Sequence, residues 1–332
     1  MIISKKAVAF LQASDVCRIY AQVNQRVMKL LEFNRHFGSE EECEKFLKER
    51  REEEGIVCAG CGGKRHRWDG YNKRWVCCGC GHETTLRSGT VMHGSKLPLL
   101  YWFTAMHLLT FTKKTFSASE MQRQLGHKRY QPIWEMMHKL RSVMGQRNGE
   151  YDLADAIELD KGYFTTEDRT GGDEPLKRGV GSQQKAKVMV ESEPVDNPKK
   201  GKKIRKCGHL KLKVIRDLKS STFESEAREA IDPNAAVVMD NLAAHVGVEE
   251  AVVDTERQNV LGKDTPKTLP RMHVAIGKAK ALIRDMFHGV SMELLQLNLD
   301  EFCYKFNRKY FGDKIFDRLL IAAVRYRSEF KH

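Results

Sequence analysis

Four cysteines arranged as two pairs give the sequence its clearest chemical signal. Cys58 and Cys61 form one Cys-x-x-Cys pair, Cys77 and Cys80 form a second, and fifteen residues lie between the pairs. Each pair places two thiolates on one tight turn, and four thiolates complete the tetrahedral shell that a structural Zn²⁺ ion prefers. The spacing therefore predicts a zinc ribbon whose ion is structural, because no coordination position stays open for chemistry. Two disulfides are the alternative interpretation of the same pattern.

The other residues of this region have supporting roles. Gly60 and Gly79 lie inside the two turns and are predicted to supply their backbone freedom. Cys78 is predicted to be a spare thiol, because Cys77 and Cys80 have the better ligand spacing. The aromatic residues between the pairs alternate with basic ones, as short strands do, and they are predicted to fill the ribbon core: Trp68, Tyr71 and Trp75.

Two aspartates, each at the end of an apolar run, form the second chemical signal. Ile157-Glu-Leu-Asp160 and Val237-Val-Met-Asp240 both have the pattern of a buried strand that ends on a carboxylate. Two carboxylates at one rim of a sheet can bind Mg²⁺ or Mn²⁺, and two such ions about 4 Å apart catalyse phosphodiester chemistry. Aspartates that follow strands also cap turns without any catalytic role, which is the alternative.

The elements that must position these groups fall into four segments. They are a helical lead-in at residues 1–50, the ribbon at 51–92, a helical segment at 93–148 and a mixed α/β segment at 149–332. The predicted fold class is therefore multidomain α+β. Within the last segment, strands are predicted at 156–160, 187–192, 209–215 and 235–240, with a helix at 221–231 and mainly helices from residue 269. The stretch 197–208, rich in lysine and glycine, is a predicted hairpin connection or flexible loop.

The helical segment contains the pattern of a helix, a turn and a second helix. Ser117 is a predicted N-cap, Gly126 ends the first helix, and Pro132 fits the first turn of the second. This pattern is typical of helix-turn-helix DNA-binding segments, in which the exposed side chains of Lys139 and Arg141 would contact phosphates. A helical hairpin with no DNA-binding function has the same pattern.

The charge balance points to a polyanionic partner. Lysine and arginine number 57 against 44 aspartates and glutamates, which gives a net charge of +13. Part of the excess lies in one run that includes Lys202, Lys203 and Arg205. Nucleic acid is the commonest polyanion, so these three residues are predicted to bind DNA. Solvated loops with no partner are the alternative.

Cysteine use and hydropathy indicate the compartment. Nine cysteines without a secretory signal favour a reducing compartment, so the protein is expected in the cytoplasm, associated with the nucleoid. The most apolar stretch, residues 97–111, contains His107 and is shorter than the roughly 20 residues that span a bilayer. No membrane-spanning segment is expected.

Several motifs together resemble the bacterial insertion-sequence transposases of the ISXO-two-like group. They are Ile157-Glu-Leu-Asp160-Lys-Gly-Tyr-Phe164, Gly208-His-Leu-Lys-Leu-Lys-Val, His273-Val-Ala-Ile-Gly-Lys-Ala-Lys280, His288-Gly-Val-Ser291 and Leu299-Asp-Glu-Phe-Cys-Tyr-Lys-Phe-Asn-Arg308. The resemblance implies a ribonuclease-H-like catalytic domain that cleaves and transfers DNA strands with Mg²⁺ or Mn²⁺. It also implies that the partners are insertion-sequence ends and target DNA, and that the protein acts as a homo-oligomer, because two ends are brought together.

The same resemblance assigns the catalytic positions. Asp160 matches the first metal-binding aspartate, Asp240 the second, and Lys280 the lysine that follows the third metal-site residue. That third position falls on Lys278, where the family has asparagine or glutamate. An ammonium group has no lone pair for a metal ion and repels it electrostatically.

Lys278 leaves three interpretations of the site open. The copy is catalytically impaired, or Asp285 takes the place of the third ligand, or Lys278 contacts phosphate while two aspartates hold the metal. For function, the first hypothesis is a DNA transposase of an insertion sequence. The alternative is a catalytically inactive, decayed or repurposed zinc-ribbon DNA-binding protein. A zinc-ribbon transcription factor unrelated to transposition is a third hypothesis.

Overall fold

The structure is a computed structural model, and it describes most of the chain. The described residues are 30–112, 114–166, 185–197, 204–258, 270–287, 290–309, 311–312 and 314–330. Most of the predicted helical lead-in lies outside them, and so do Lys202 and Lys203 of the basic run. Arg205 lies within a described strand, Ile204–Ile215.

Two helices lead into a small antiparallel sheet. These elements are α1 (Leu30–His36), α2 (Glu40–Glu54), β1 (His66–Asp69), β2 (Arg74–Cys77) and β3 (Glu83–Thr85). Trp75 on β2 packs against Trp68 on β1, with 4.8 Å between ring centroids, and its indole N–H donates to Glu52 on α2 at 3.1 Å. Tyr71 is 95% exposed, so the prediction that it fills the ribbon core is wrong. The two tryptophans fill the ribbon and attach it to α2.

The predicted helix, turn and helix are present after one further helix. They are α3 (Leu99–Phe111), α4 (Ala118–Leu125) and α5 (Tyr130–Gly149). Ser117 caps α4 by accepting a hydrogen bond from the Glu120 N–H at 3.1 Å. Gly126 ends α4 with φ of 65°, a left-handed conformation that glycine adopts without steric cost. Pro132 lies in the first turn of α5, as predicted.

The apolar stretch at residues 97–111 forms a core helix. Trp102, Phe103 and Met106 on α3 are fully buried among the neighbouring helices. In the parts of the chain that the structure describes, no helix has both the length and the apolar composition needed to cross a bilayer.

A five-stranded sheet follows the helical segment. Its strands are β4 (Ala156–Thr165), β5 (Lys185–Asn197), β6 (Ile204–Ile215), β7 (Ala236–Asp240) and β8 (Asp254–Gln258). Their spatial order is β6-β5-β4-β7-β8. The first three strands form an antiparallel meander, whereas β7 and β8 run parallel to β4 and to each other.

Helices cover both faces of this sheet. Helix α6 (Ser220–Ala230), a 3₁₀ turn (Ala243–His245) and the short α7 (Val246–Glu249) pack on one face around Leu159 and Met239. Helices α8 (Pro270–Phe287) and α9 (Met292–Asn307) pack on the other face around Phe164 and Val190. Apolar residues on both faces explain why the central strands read as nearly continuous apolar runs.

The sheet differs from the predicted strands in three places. Strand β4 continues past Asp160 to Thr165, so Asp160 lies in the strand interior and not at its end. Strands β5 and β6 extend into the predicted loop and pair as far as Asn197 and Ile204. Strand β8 was not predicted, because its residues Asp-Thr-Glu-Arg-Gln have no apolar alternation, a composition that an edge strand tolerates.

The last helix, α10 (Lys314–Arg325), packs with the N-terminal helices. Phe316, Leu319 and Ala323 of α10 belong to the same buried cluster as Phe33 of α1 and Phe103 of α3. The helical core therefore contains residues from both ends of the described chain, on either side of the five-stranded sheet in sequence.

Arg141 is buried in this junction, which corrects the prediction that its side chain is exposed to bind DNA. It is 1% exposed, and its Nε donates to the carboxylate of Glu301 on α9 at 2.9 Å. Its Nη2 donates to the Phe116 carbonyl at 3.1 Å, and Lys305 lies 2.9 Å from Glu301. The face of α5 that carries Arg141 turns toward α9, so this cation positions helices and cannot meet phosphate.

Replacing Arg141 with alanine is expected to destabilise the protein strongly. The change leaves Glu301 buried without one of its cationic partners, which typically costs about 3–5 kcal/mol. Lys139→Ala is the matched control, because Lys139 is two residues away on α5 and only half-buried, and it should change stability by less than about 0.5 kcal/mol. Urea denaturation of both variants measures the difference, and equal stabilities would show that the buried pair does not hold the helices together.

Candidate functional site

The four ribbon cysteines come together as predicted. Their sulfur atoms all lie within 4.8 Å of one another, with 3.5 Å from Cys58 to Cys80 and 3.6 Å from Cys61 to Cys77. All four are free thiols, since a disulfide would need about 2.05 Å between sulfurs. Four thiols in a tetrahedral cluster can hold one metal ion, and the donor set suits zinc. Cys78 is exposed and lies outside the cluster.

The two cysteine turns have the same backbone hydrogen bond. Gly62 donates its N–H to the Cys58 carbonyl at 2.9 Å, and Gly81 donates to the Cys77 carbonyl at 3.0 Å. Both glycines have positive φ, 70° and 73°, which a residue with a Cβ adopts only with strain. The positions that need glycine are therefore Gly62 and Gly81, four residues after Cys58 and Cys77. Gly60 is not one of them, and its N–H donates to Cys58 Sγ at 3.3 Å.

Cys77→Ser is expected to abolish zinc binding, whereas Cys78→Ser should retain one zinc ion per chain. Removing one of four thiolates opens the tetrahedral shell, but removing the neighbouring exposed thiol leaves it complete. Zinc content of the purified variants, measured by atomic emission, checks this. A loss of zinc in Cys78→Ser would show that the second cysteine turn uses the other cysteine.

Asp160 and Asp240 lie side by side on adjacent parallel strands. Leu159 on β4 is paired with Met239 on β7, so the residues that follow them occupy the same level of the sheet. The Asp160 side chain is 10% exposed and that of Asp240 is 26% exposed. The register of one strand pair therefore brings the two predicted carboxylates together at a partly buried position.

Asp240 is held by two basic side chains that the sequence did not single out. The Lys161 ammonium donates to Asp240 Oδ2 at 3.1 Å, and His245 Nδ1 lies 2.7 Å from Oδ1. Burial would raise the pKa of Asp240, but the contacts with His245 and Lys161 outweigh it and lower the pKa to about 2. Asp240 is thus a carboxylate at every physiological pH.

Asp160 has a different environment. Burial raises the pKa of Asp160, and the neighbouring Asp240 acts in the same direction. The Lys161 backbone N–H donates to Asp160 Oδ1 at 2.7 Å, and His273 Nδ1 on α8 lies 3.8 Å from Oδ2. The two carboxylates lie at one level of the sheet, and burial disfavours the charged form of Asp160. A cation bound between them would stabilise both in the charged form.

Helix α8 presents His273 and Lys280 to this site. The two residues are seven positions apart, which places them on the same side of a helix. Lys280 lies 5.7 Å from the Phe164 ring centroid, and burial lowers its pKa while the charge of Asp160 acts in the opposite direction. Lys280 is therefore within electrostatic range of Asp160.

Residues 152–307 match the ISXO2-like transposase domain, a range that contains both aspartates, His273 and Lys280. This part of the chain is therefore similar to the transposase domain of that family. No curated protein matches the chain. The chain is also similar to a crystal structure of a pre-cleavage Mos1 transpososome, with 10% identity over 69% of this chain and 80% of that chain and a TM-score of 0.25.

The transposase domain does not bring Lys278 to the aspartates. Lys278 is two positions from Lys280, about 200° around the helix, and it lines a separate cavity with Phe302 of α9. Asp285 is also directed elsewhere, because its carboxylate is 62% exposed and pairs with Arg284 at 3.0 Å. The group that α8 places beside Asp160 is His273.

The residues of the transposase domain can accept a divalent cation, as a DDE-type domain implies. Asp240 Oδ1 is shielded from solvent and lies 2.7 Å from His245 Nδ1. Two carboxylates and one imidazole are a donor set that Mn²⁺ and Mg²⁺ can share with water. Lys161 and His245 are the competing groups, since Lys161 contacts Oδ2 of Asp240 and His245 contacts Oδ1.

The two predicted DNA-binding residues with described side chains, Lys139 and Arg141, do not share a surface. Lys139 is half-buried and lines a cavity of about 690 Å³ at the turn between α4 and α5, together with Lys96, Lys128 and Arg129. These three neighbours were not singled out from the sequence, although their charge and position in the turn are a visible signal. Arg141 is not part of this basic surface.

Proposed function

We propose that this protein is an insertion-sequence transposase that binds DNA and cleaves and joins its strands at Asp160, Asp240 and His273. The observation that carries the proposal is the juxtaposition of these three side chains inside the matched transposase domain, with His273 Nδ1 3.8 Å from Asp160. Divalent ions bound there would activate the attacking hydroxyl and stabilise the leaving oxygen in phosphodiester chemistry.

The fold supports a ribonuclease-H-like domain. The sheet has an antiparallel meander of three strands and two further parallel strands, in the order β6-β5-β4-β7-β8. Strands β4 and β7, the first and fourth of the sheet in chain order, are therefore neighbours. Two carboxylates from distant parts of the chain are therefore held beside each other on neighbouring strands. We assign the segment from residue 149 to α9 to this domain, and the ribbon and helices before it to DNA recognition.

Each residue of the site has a separate role in the proposal. Asp160 and Asp240 hold the metal ions, and His273 completes or orients the ligand set from α8. Lys280 is near Asp160 but has no carboxylate at contact distance in the described residues. Its ammonium group would bind a phosphate of the DNA. Lys139 and its basic neighbours, with Lys202, Lys203 and Arg205, would bind the DNA backbone further away. Because two element ends must be joined, we expect a homo-oligomer.

One observation favours the non-catalytic alternative. Lys161 already neutralises Asp240, so a metal ion must compete with an ammonium group for that carboxylate. If the Lys161 ammonium excludes the metal ion from Asp240, the protein would bind DNA without cutting it. The location of Lys278, by contrast, gives no reason to expect impairment, because its side chain lines a different cavity.

Cleavage of DNA that adjoins the gene tests the proposal. Duplexes covering the flanking chromosomal sequence are incubated with Mn²⁺ and the zinc-loaded protein, and nicked products are resolved on denaturing gels. We expect the unaltered protein to cut, Asp160→Asn and Asp240→Asn to be inactive, and His273→Ala to be slower by about 10- to 100-fold, as is typical for groups that tune a metal site.

Two further variants serve as controls. Asp285→Asn removes an exposed carboxylate from the same helix and should leave the rate unchanged. Lys278→Asn, which would supply an amide ligand if that position faced the metal, should give no increase. If the unaltered protein is inactive and Lys161→Met restores cutting, this copy is inhibited by its own lysine. Cutting that survives Asp160→Asn would contradict the proposed site.

A further inference from the structure

A second cavity lies on the flank of α8 away from the aspartates. It has a volume of about 630 Å³ and is enclosed by residues of α3, α8, α9 and α10. Lys278 lines it, two residues from Lys280, so the cavity and the proposed catalytic site share one helix. Its volume falls in the range typical of pockets for small ligands of about nucleotide size.

The walls of this cavity are largely aromatic. Phe302 and Phe306 on α9 have ring centroids 5.8 Å apart, and Phe316 on α10 also lines the space. Phe111, the last residue of α3, is 55% exposed at the cavity although it is a large apolar side chain. Phenyl rings that line an open space offer surfaces on which a planar base can stack.

The polar groups of the cavity carry net positive charge. Lys278, Lys305 and Lys309 line it, and Glu301 is the one acidic residue among its described lining residues. Glu301 is already paired with the buried Arg141 at 2.9 Å and with Lys305 at 2.9 Å. The surplus charge therefore favours an anionic ligand.

His107 adds a buried polar atom that lacks a partner. It is 2% exposed and lines the cavity, and its ring stacks on Phe111 with 5.4 Å between centroids. Within the described residues, His107 Nε2 has no hydrogen-bond partner. Leaving such a group unpaired costs free energy, so a ligand that offers a hydrogen-bonding edge would stabilise it.

We propose that this cavity binds one unpaired nucleotide of the DNA substrate, with its base against the phenyl rings and His107 and its phosphate at Lys278. The proposal rests on the proposed function, because the occupant belongs to the DNA. Stacking surfaces, surplus positive charge and an unpaired imidazole fit a base joined to a phosphate better than they fit a wholly apolar ligand. A nucleotide that is already unpaired enters most easily, since extrusion from a duplex costs unstacking energy.

Fluorescence binding measurements with two duplexes test this assignment. One is fully paired and contains 2-aminopurine, and the other is identical except that the 2-aminopurine is a single unpaired bulge. At one fixed salt concentration, we expect the bulged duplex to bind about 10-fold tighter, the gain typical of one stacked base. We also expect the 2-aminopurine fluorescence of the bulge to be quenched further when the protein binds.

Two exposed lining residues provide variants that should fold. Phe111→Ala is expected to remove both the preference and the additional quenching, whereas Phe111→Tyr, which keeps an aromatic ring, should retain them. Lys278→Ala should weaken binding of the bulged duplex more than that of the paired one. Lys219→Ala removes another exposed lysine, far from the cavity in sequence, and should weaken both duplexes alike.

The outcomes separate this proposal from the proposed function. If the paired duplex binds but the bulge gives no preference, or if Phe111→Ala keeps the preference, the nucleotide pocket is wrong and the transposase proposal stands. If neither duplex binds, DNA binding itself fails and both proposals are overturned. A preference that Phe111→Ala removes and Phe111→Tyr retains supports the pocket.

Discussion

The pairing register of β4 with β7 is the constraint on which the proposed site depends. Leu159 and Met239 pair in parallel, and both are fully buried on one face of the sheet. A slip of one strand by one residue would turn its side chains to the opposite face, and close packing against helices on both faces therefore fixes the register. Asp160 and Asp240 directly follow these residues, so the same register places their carboxylates side by side, although they are eighty positions apart in sequence.

Packing of α8 on the same sheet supplies the rest of the site. Ile276 and Ala279 are buried against the strands, and they fix the rotation of the helix about its axis. That rotation turns His273 and Lys280 toward Asp160 and turns Lys278 toward the aromatic cavity. One helix thus separates the partly buried face that we propose to bind metal from a basic, aromatic face. Both faces suit contacts with a DNA strand that would pass along α8.

Local chemistry could be predicted from the sequence, whereas long-range orientation could not. The zinc ligands follow from spacing within two turns, and the two aspartates follow from apolar runs within single strands. The third group of the site depends on which side of α8 faces the sheet. The sequence does hold one signal for it, because His273 and Lys280 are seven residues apart and lie on one helical face, whereas Lys278 does not.

The other differences have the same origin. Arg141 lies at a position that helical spacing alone leaves exposed, yet α9, which is more than 150 residues away in sequence, covers it and supplies Glu301. Strand β8 lacks an apolar pattern because it lies at the sheet edge, where only its pairing with β7 defines it as a strand. Tertiary contacts of this kind override local propensity.

Direct binding of Mn²⁺ tests the central claim that Asp160, Asp240 and His273 form one cation site. The zinc-loaded protein is titrated with Mn²⁺ in the absence of DNA, and the free ion is followed by electron paramagnetic resonance. The account predicts saturable binding that is lost in Asp160→Asn and Asp240→Asn, weakened in His273→Ala and unchanged in Asp285→Asn. Binding by Asp160→Asn that equals that of the unaltered protein would contradict the account.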